Sequence, residues 1–305
     1  MNARTSSGRR IATALGTLGA LAALGCSESS APAPQLSPAF MYVANVGANS
    51  QLVRFRNDTA TPLTSGSSNY DPNSRASRLV FTSERNGLPQ VFISDLDVTT
   101  PHAVTFGSSF NRSPSLSPSA DSIAFVSTRS GTPRIWVIAA PSLNAPGFDT
   151  PLALATGSPS YVPEDVPAWS PAGSFIAFTS TRDGLSQVYV MPSGGGSVTA
   201  VTSEGGGAFQ PSWSADGSTI YYVAATPSLI LRRVSAQGGG TATTVVDDPQ
   251  GVGGPASCNG SFCLFNTDPA GSSGSMCTLA ISAGSTKVIF PRTAAQERQP
   301  AILAP

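Results

Sequence analysis

Charge and histidine are what this 305-residue chain has least of. Asp, Glu, Lys and Arg make up 11% of it, against about 25% in an ordinary soluble domain. Basic and acidic residues balance at 17 each, and no basic stripe runs along any segment. Phosphate recognition needs clustered cations, so nucleic acid is excluded as a partner. The only lysine is Lys287, against sixteen arginines. His102 is the only histidine, which excludes the usual histidine metal clusters and makes a Ser-His-Asp triad improbable. No Gly-x-Ser-x-Gly elbow, EF-hand loop or phosphate loop occurs. Asp95, Asp97, Asp247 and Asp248 form acidic pairs too thin for a metal, and read as solvated turns. No cofactor is expected, and the sequence reads as a non-enzyme. Long apolar runs are missing too. Ile11–Gly25, about fifteen residues, falls short of the roughly 20 that span a bilayer.

What that stretch does fit is the apolar core of a secretory signal, behind Arg4, Arg9 and Arg10. Without residues 1–25 the chain carries a net charge near −3. The stretch ends Leu21-Ala22-Ala23-Leu24-Gly25-Cys26, which resembles a bacterial lipobox. The resemblance implies lipidation of Cys26, and Ser27 after it implies the outer membrane. Ala23 stands where leucine is usual, and ordinary signal cleavage nearby is the competing reading. Residues 26–39, rich in Ser, Pro and Ala, read as a flexible tether. The expected location is exported, periplasmic or cell-surface, with the membrane touched only through the lipid.

The rest, 40–305, repeats. Pro114-Ser-Leu-Ser-Pro118, Pro167-Ala-Trp-Ser-Pro171 and Pro211-Ser-Trp-Ser-Ala215 each precede a small-residue turn and an apolar run: Ile123–Val126, Phe175–Phe178 and Ile220–Val223. Ser-x-Arg-x-Gly turns at Arg85, Arg129 and Arg182 follow three such runs, each leading to a strand (Val91–Ile93, Ile135–Val137, Val188–Val190). Short strands such as Ala103–Thr105 and Ala200–Thr202 close the unit. Period-2 patterning between Gly-rich turns marks four strands per unit. The proline anchors fall at 72, 114, 167, 211, 255 and 300, a spacing near that of a propeller blade. The wide step after Pro114 holds an insertion at Leu143–Thr150. Pro300–Pro305 matches only an opening strand, and Met41–Ala44, Leu52–Phe55 and Pro62–Thr64 match only the other three. The predicted fold is therefore all-β: a six-bladed β-propeller of four-stranded blades. Its ring is closed by the C-terminal strand joining the N-terminal strands in one blade.

These repeats resemble the WD-like repeats of the TolB C-terminal propeller, and similar ones occur in prolyl oligopeptidase propellers. The TolB N-terminal domain has no counterpart in residues 27–39. The resemblance implies a binding face for an envelope protein or peptide, in TolB a peptidoglycan-associated lipoprotein. A monomer is expected.

Candidate partner-binding residues are those just before the proline anchors, where one blade crosses to the next around the channel mouth: Tyr70, Asp71, Asn111, Arg112, Glu164, Asp165, Phe209, Gln210, Arg298 and Gln299. A glycan or small ligand at that mouth is the alternative, with Tyr70, Tyr161 and Phe209 as its aromatics. Trp169 and Trp213 read as wedges between blades, and the recurring arginines as structural hydrogen-bond donors. His102 is expected on an outer strand facing solvent. Cys263 and Cys277 are candidates for a disulfide across two strands, and Cys258 with Cys263 across the Asn259-Gly260 turn is the other pairing.

Overall fold

In the computed structural model the described residues are 39–305 without 58, 145–150, 155, 158, 160–161, 227, 247–251, 253–256, 259–261, 268–274, 281–286, 290–296 and 303–305. The expected signal at 1–25, Cys26 and residues 27–38 of the expected tether lie outside them. The strands form six four-stranded antiparallel sheets. The first holds β1 (Phe40–Val46), β2 (Asn49–Arg56) and β3 (Thr59–Pro62), with β24 (Glu297–Ile302) as its inner strand. The second runs β4 (Asn69–Arg75), β5 (Arg78–Ser83), β6 (Gln90–Asp95), β7 (His102–Ala103). The third runs β8 (Asn111–Leu116), β9 (Ser122–Ser127), β10 (Arg134–Ala139), β11 (Leu152–Ala153). The fourth runs β12 (Glu164–Trp169), β13 (Phe175–Ser180), β14 (Gln187–Pro192), β15 (Thr199–Ala200). The fifth runs β16 (Ala208–Trp213), β17 (Thr219–Thr226), β18 (Ser228–Ser235), β19 (Thr243–Val246). The sixth runs β20 (Ser257–Cys258), β21 (Phe262–Thr267), β22 (Ser275–Ala280), β23 (Lys287–Ile289). For β22 to β24 the backbone alone is described.

Each inner strand touches the next in a closed cycle, β4 to β8, β12, β16, β20, β24 and back to β4. This is a β-propeller built of antiparallel four-stranded blades. The two chain ends share a sheet: Phe40 pairs with Ile302 and Ala44 with Glu297. A sheet closed in this way ties the ring with backbone hydrogen bonds between residues over 250 positions apart, and propeller sheets keep only short, protected edges.

The second strand of each unit is apolar on both faces because a blade is covered on both sides. Leu79 and Phe81 point into the cluster shared with the first sheet, and Val80 into the one shared with the third. Ile123 and Phe125 face backward while Ala124 faces forward, and Ile176, Phe178 and Ala177 repeat the arrangement. Large residues on one face and a small one on the other let neighbouring sheets approach while still interdigitating. Each fully buried aromatic or aliphatic chain contributes about 1.5–3 kcal/mol. Trp169 and Trp213 lie buried in these inter-sheet layers, and the Trp213 indole donates to the Ala168 carbonyl of the preceding sheet at 2.9 Å. Between the fifth and sixth sheets, Tyr221 and Val223 meet Cys263 and Phe265. Between the sixth and first, Leu264 meets Phe40 and Tyr42.

Cys263 is disulfide-bonded. The backbone register sets Cys258 directly opposite it, whereas Cys277 faces Phe265, two pairs further along. His102 sits on the outer strand as expected, but Nε2 lies 3.0 Å from the Leu143 carbonyl and the ring is half-buried. Leu143, just after β10, thus meets the outer strand of the preceding sheet, a contact that sequence patterning does not show.

Candidate functional site

Antiparallel order brings two kinds of connection to one end of the ring: the crossings into each inner strand and the hairpins between second and third strands. Among the described residues the crossings after β3, β7, β11 and β15 are each pinned by a polar brace. At the start of the third strand, Gln90 Oε1 accepts from Thr105 Oγ1 at 2.8 Å and from Asn111 Nδ2 at 2.8 Å. Gln51 does the same with Thr64 and Asn69 at 2.7 and 3.4 Å, and Gln187 with Thr202 Oγ1 and the Glu204 amide at 2.7 and 2.9 Å. The third sheet uses a charged version. Arg134 donates to Thr156 Oγ1 at 2.7 Å and pairs with Glu164 at 3.3 Å, while Thr156 also donates to Glu164.

The recurring arginines close the same brace. Arg85 Nη2 donates to Asn69 at 3.3 Å, Arg129 Nη2 to Asn111 at 3.2 Å and Arg182 Nη2 to Glu164 at 3.4 Å. Each guanidinium also lies over an aromatic ring of the third strand: Phe92 at 4.5 Å, Trp136 at 4.9 Å and Tyr189 at 4.6 Å. Cation–π stacking and charge-assisted hydrogen bonds share one side chain, a geometry suited to planar guanidinium.

This corrects two of the candidates. Asn111 and Glu164 are 0% and 1% exposed, and their polar atoms are spent on the brace. They stand three residues before the proline anchor, where the crossing is still buried between sheets. The mouth begins at the next two positions: Tyr70-Asp71, Arg112-Ser113, Asp165-Val166 and Phe209-Gln210. Arg298-Gln299 occupies the equivalent place in β24, with Arg298 opposite Val43, and its side chains lie outside the description, as does Tyr161. Ser113 and Val166 were not expected as mouth residues. Aligning every crossing on its proline would have shown them.

Backbone geometry at this level repeats although the side chains do not. Register shifts interrupt pairing just after Tyr70, Arg112, Asp165 and Phe209. Asp71, Ser113, Val166 and Gln210 take φ of 52°, 52°, 48° and 56°, left-handed values that are costly for a β-branched valine. Arg112 and Asp165 form a two-pronged ion pair, 2.8 Å at each contact. Burial opposes the Arg112 cation, but Asp165, then Asp71 and Tyr70, hold its pKa above the arginine norm. Asp71 is pushed up by burial. The Ser113 amide at 3.0 Å and the Thr82 hydroxyl at 3.1 Å pull it partly back. Burial and the hydrogen bond to Glu84, 3.0 Å, raise the Tyr70 phenol.

From Asp165 a cleft of about 560 Å³ runs outward between the fourth and fifth sheets. Val166, Phe209, Val223 and Leu229 give it apolar walls, and Asp165 and Gln210 stand at its inner end. Three of its rim hydroxyls are committed to the backbone: Thr179 donates to the Asp165 carbonyl, Ser180 to Pro163 and Ser186 to Ala208, at 3.1–3.2 Å. Among the described residues no group of three or more His, Cys, Asp or Glu could hold a metal ion.

A family model described as the TolB beta propeller domain matches residues 157–302. Among solved structures, TolB from Acinetobacter baumannii is similar at TM-score 0.73 and 21% identity, over 88% of this chain and 67% of that one. An Agrobacterium tumefaciens protein assigned as TolB matches at TM-score 0.66 and 16% identity, over 86% and 91%. A puromycin-hydrolyzing peptidase from Mycobacterium tuberculosis matches at TM-score 0.58 and 14% identity, over 83% of this chain but 44% of the peptidase. At these identities the likeness shows the fold. No curated protein sequence matches the chain.

Proposed function

We propose that this chain is a binding or scaffold protein of the cell envelope, a six-bladed TolB-like propeller that holds a protein or peptide partner on its channel-mouth face. In this reading it is exported, anchored in the outer membrane through Cys26, and not a catalyst. The observation that carries it is the contrast between frame and display. The braces behind the mouth repeat from sheet to sheet, while the residues in front of them differ at every crossing. A rigid frame presenting non-repeating tyrosine, arginine, aspartate and phenylalanine is the arrangement expected of a recognition surface. Exposed large apolar residues favour the same end of the ring. Val46, Phe106, Phe110, Leu185 and Leu229, 40–57% exposed, all lie on its hairpins and crossings. A peptidoglycan-associated lipoprotein is one candidate partner, by likeness to TolB.

The test is crosslinking and pull-down from the envelope with the intact chain and with an Arg112→Ala/Asp165→Ala double variant, which removes both charges together. Loss of a specific partner from the variant supports the reading. Recovery of the same proteins from both would refute the mouth as the binding face. Mass spectrometry of the mature N-terminus tests the anchor: a diacylated Cys26 is expected, and an unmodified terminus elsewhere would refute it.

A further inference from the structure

We infer that the cleft between the fourth and fifth sheets is a side-chain pocket for an uncharged peptide segment, taking one aliphatic or aromatic residue as its anchor. The inference rests on the binding reading above and adds where the partner is gripped and by what chemistry.

Three features select that occupant. The walls are apolar and come from both sheets: Val166 on one side, and Phe209, Val223 and Leu229 on the other. Leu229 is 40% exposed and Phe209 half-buried, so covering them releases water from apolar surface. The cleft is also electrically quiet. Asp165 is its only lining residue with a charge, and both carboxylate oxygens are taken by Arg112 at 2.8 Å. A charged ligand group would give up its hydration without finding an opposite charge. The third feature is Gln210. Its side chain carries no hydrogen bond among the described residues, yet it lines the inner end of the cleft. A primary amide both donates and accepts, which matches a peptide group entering beside the anchor. Thr179, Ser180 and Ser186 already donate to backbone carbonyls, so at the inner end of the cleft Gln210 stands as the amide donor facing an incoming chain. Gly207 keeps the wall in place. Its φ of +100° disfavours any side chain, and a Cβ there would crowd the Phe209 ring at 3.0 Å.

The test is selection of random twelve-residue peptides displayed against the full mature chain, followed by titration of synthetic copies. Enriched sequences are expected to share one Leu, Ile, Phe or Met flanked by uncharged residues. Leu229→Lys, a change at a partly exposed position whose melting temperature is measured alongside, should weaken them about tenfold or more. Selection against Arg112→Gln should yield peptides with Lys or Arg beside the same anchor, because Asp165 then lacks its partner. Peptides that bind Leu229→Lys and the parent alike but are lost on Tyr70→Ala would overturn the cleft and leave the mouth reading standing. Charged consensus peptides against the parent, or no enrichment at all, would overturn the inference itself.

Discussion

Arg112 and Asp165 meet across the channel mouth from neighbouring inner strands, joined by two parallel contacts of 2.8 Å. The side chains are each 35% exposed, so water still competes for both. The coupling between them, read from a double-mutant cycle with alanine at each position, should be only about 0.5–1 kcal/mol and should shrink at high salt. A coupling of several kcal/mol would mean the pair is structural rather than part of a display surface.

Glu164 is a different kind of charge. Its side chain is 0% exposed and lies between Arg134 at 3.3 Å and Arg182 at 3.4 Å. Glu164→Gln keeps the volume but leaves two half-buried cations short of a partner. Stability should fall by about 3 kcal/mol in urea titration. A loss under about 1 kcal/mol would show that the brace tolerates its neutral form, as Asn111 suggests for the preceding sheet.

Two aspartates give opposite pH signatures. Burial raises the Asp71 carboxyl, so the fold favours its protonated form. That stabilisation is fully present below the unfolded value of about 4 and is lost as pH rises through the folded value. Asp71→Asn should therefore gain on the parent from about pH 4 upward, with the difference closing on acidification. Asp216 is held down to about 2 by the Ser214 hydroxyl and then by the Ser218 amide and hydroxyl. Its contribution is present above about pH 4 and lost as pH falls toward 2. Asp216→Asn should flatten only that acid limb. Urea midpoints from pH 2 to 8 check both.

Three consecutive glycines precede Ala208, and they are not equivalent. A Cβ on Gly206 would sit 1.6 Å from the Ala225 carbonyl oxygen, while one on Gly205 meets nothing within 4 Å. Gly206→Ala should cost about 2–3 kcal/mol or more, since backbone must move. Gly205→Ala should be neutral or stabilise by about 0.5 kcal/mol. Equal melting temperatures for the two variants would contradict the close approach of this turn to β17.

Much of the ring is legible in the chain because blade-to-blade packing imposes a strict rhythm. Runs such as Ile123-Ala-Phe125 and Phe175-Ile-Ala-Phe178 alternate large and small because each sheet has a neighbour on both faces. Arg85, Arg129 and Arg182 recur because each clamps the crossing in front of it. The Gln51, Gln90 and Gln187 braces leave a trace in the chain, a glutamine at or near the start of three third strands with a threonine about fourteen residues on. That signal is easily passed over because the third sheet substitutes Arg134. Placing Asn111 and Glu164 at the mouth went wrong by one residue. Solvent exposure changes completely across a single position where a strand leaves the interface, and polarity cannot tell a buried brace from an exposed rim.

The sequence by itself determined the strand rhythm, the four-stranded unit and the joining of the two chain ends, since local alternation and turn chemistry are written in neighbouring residues. Tertiary structure alone decided which polar residues face the channel, that Arg112 neutralises Asp165, and that Val166 and Leu229 share a cleft. Those relationships join residues 53 and 63 positions apart. They exist only once the sheets close into a ring, because side-chain contacts at that range depend on how neighbouring sheets are set against each other and not on any local pattern.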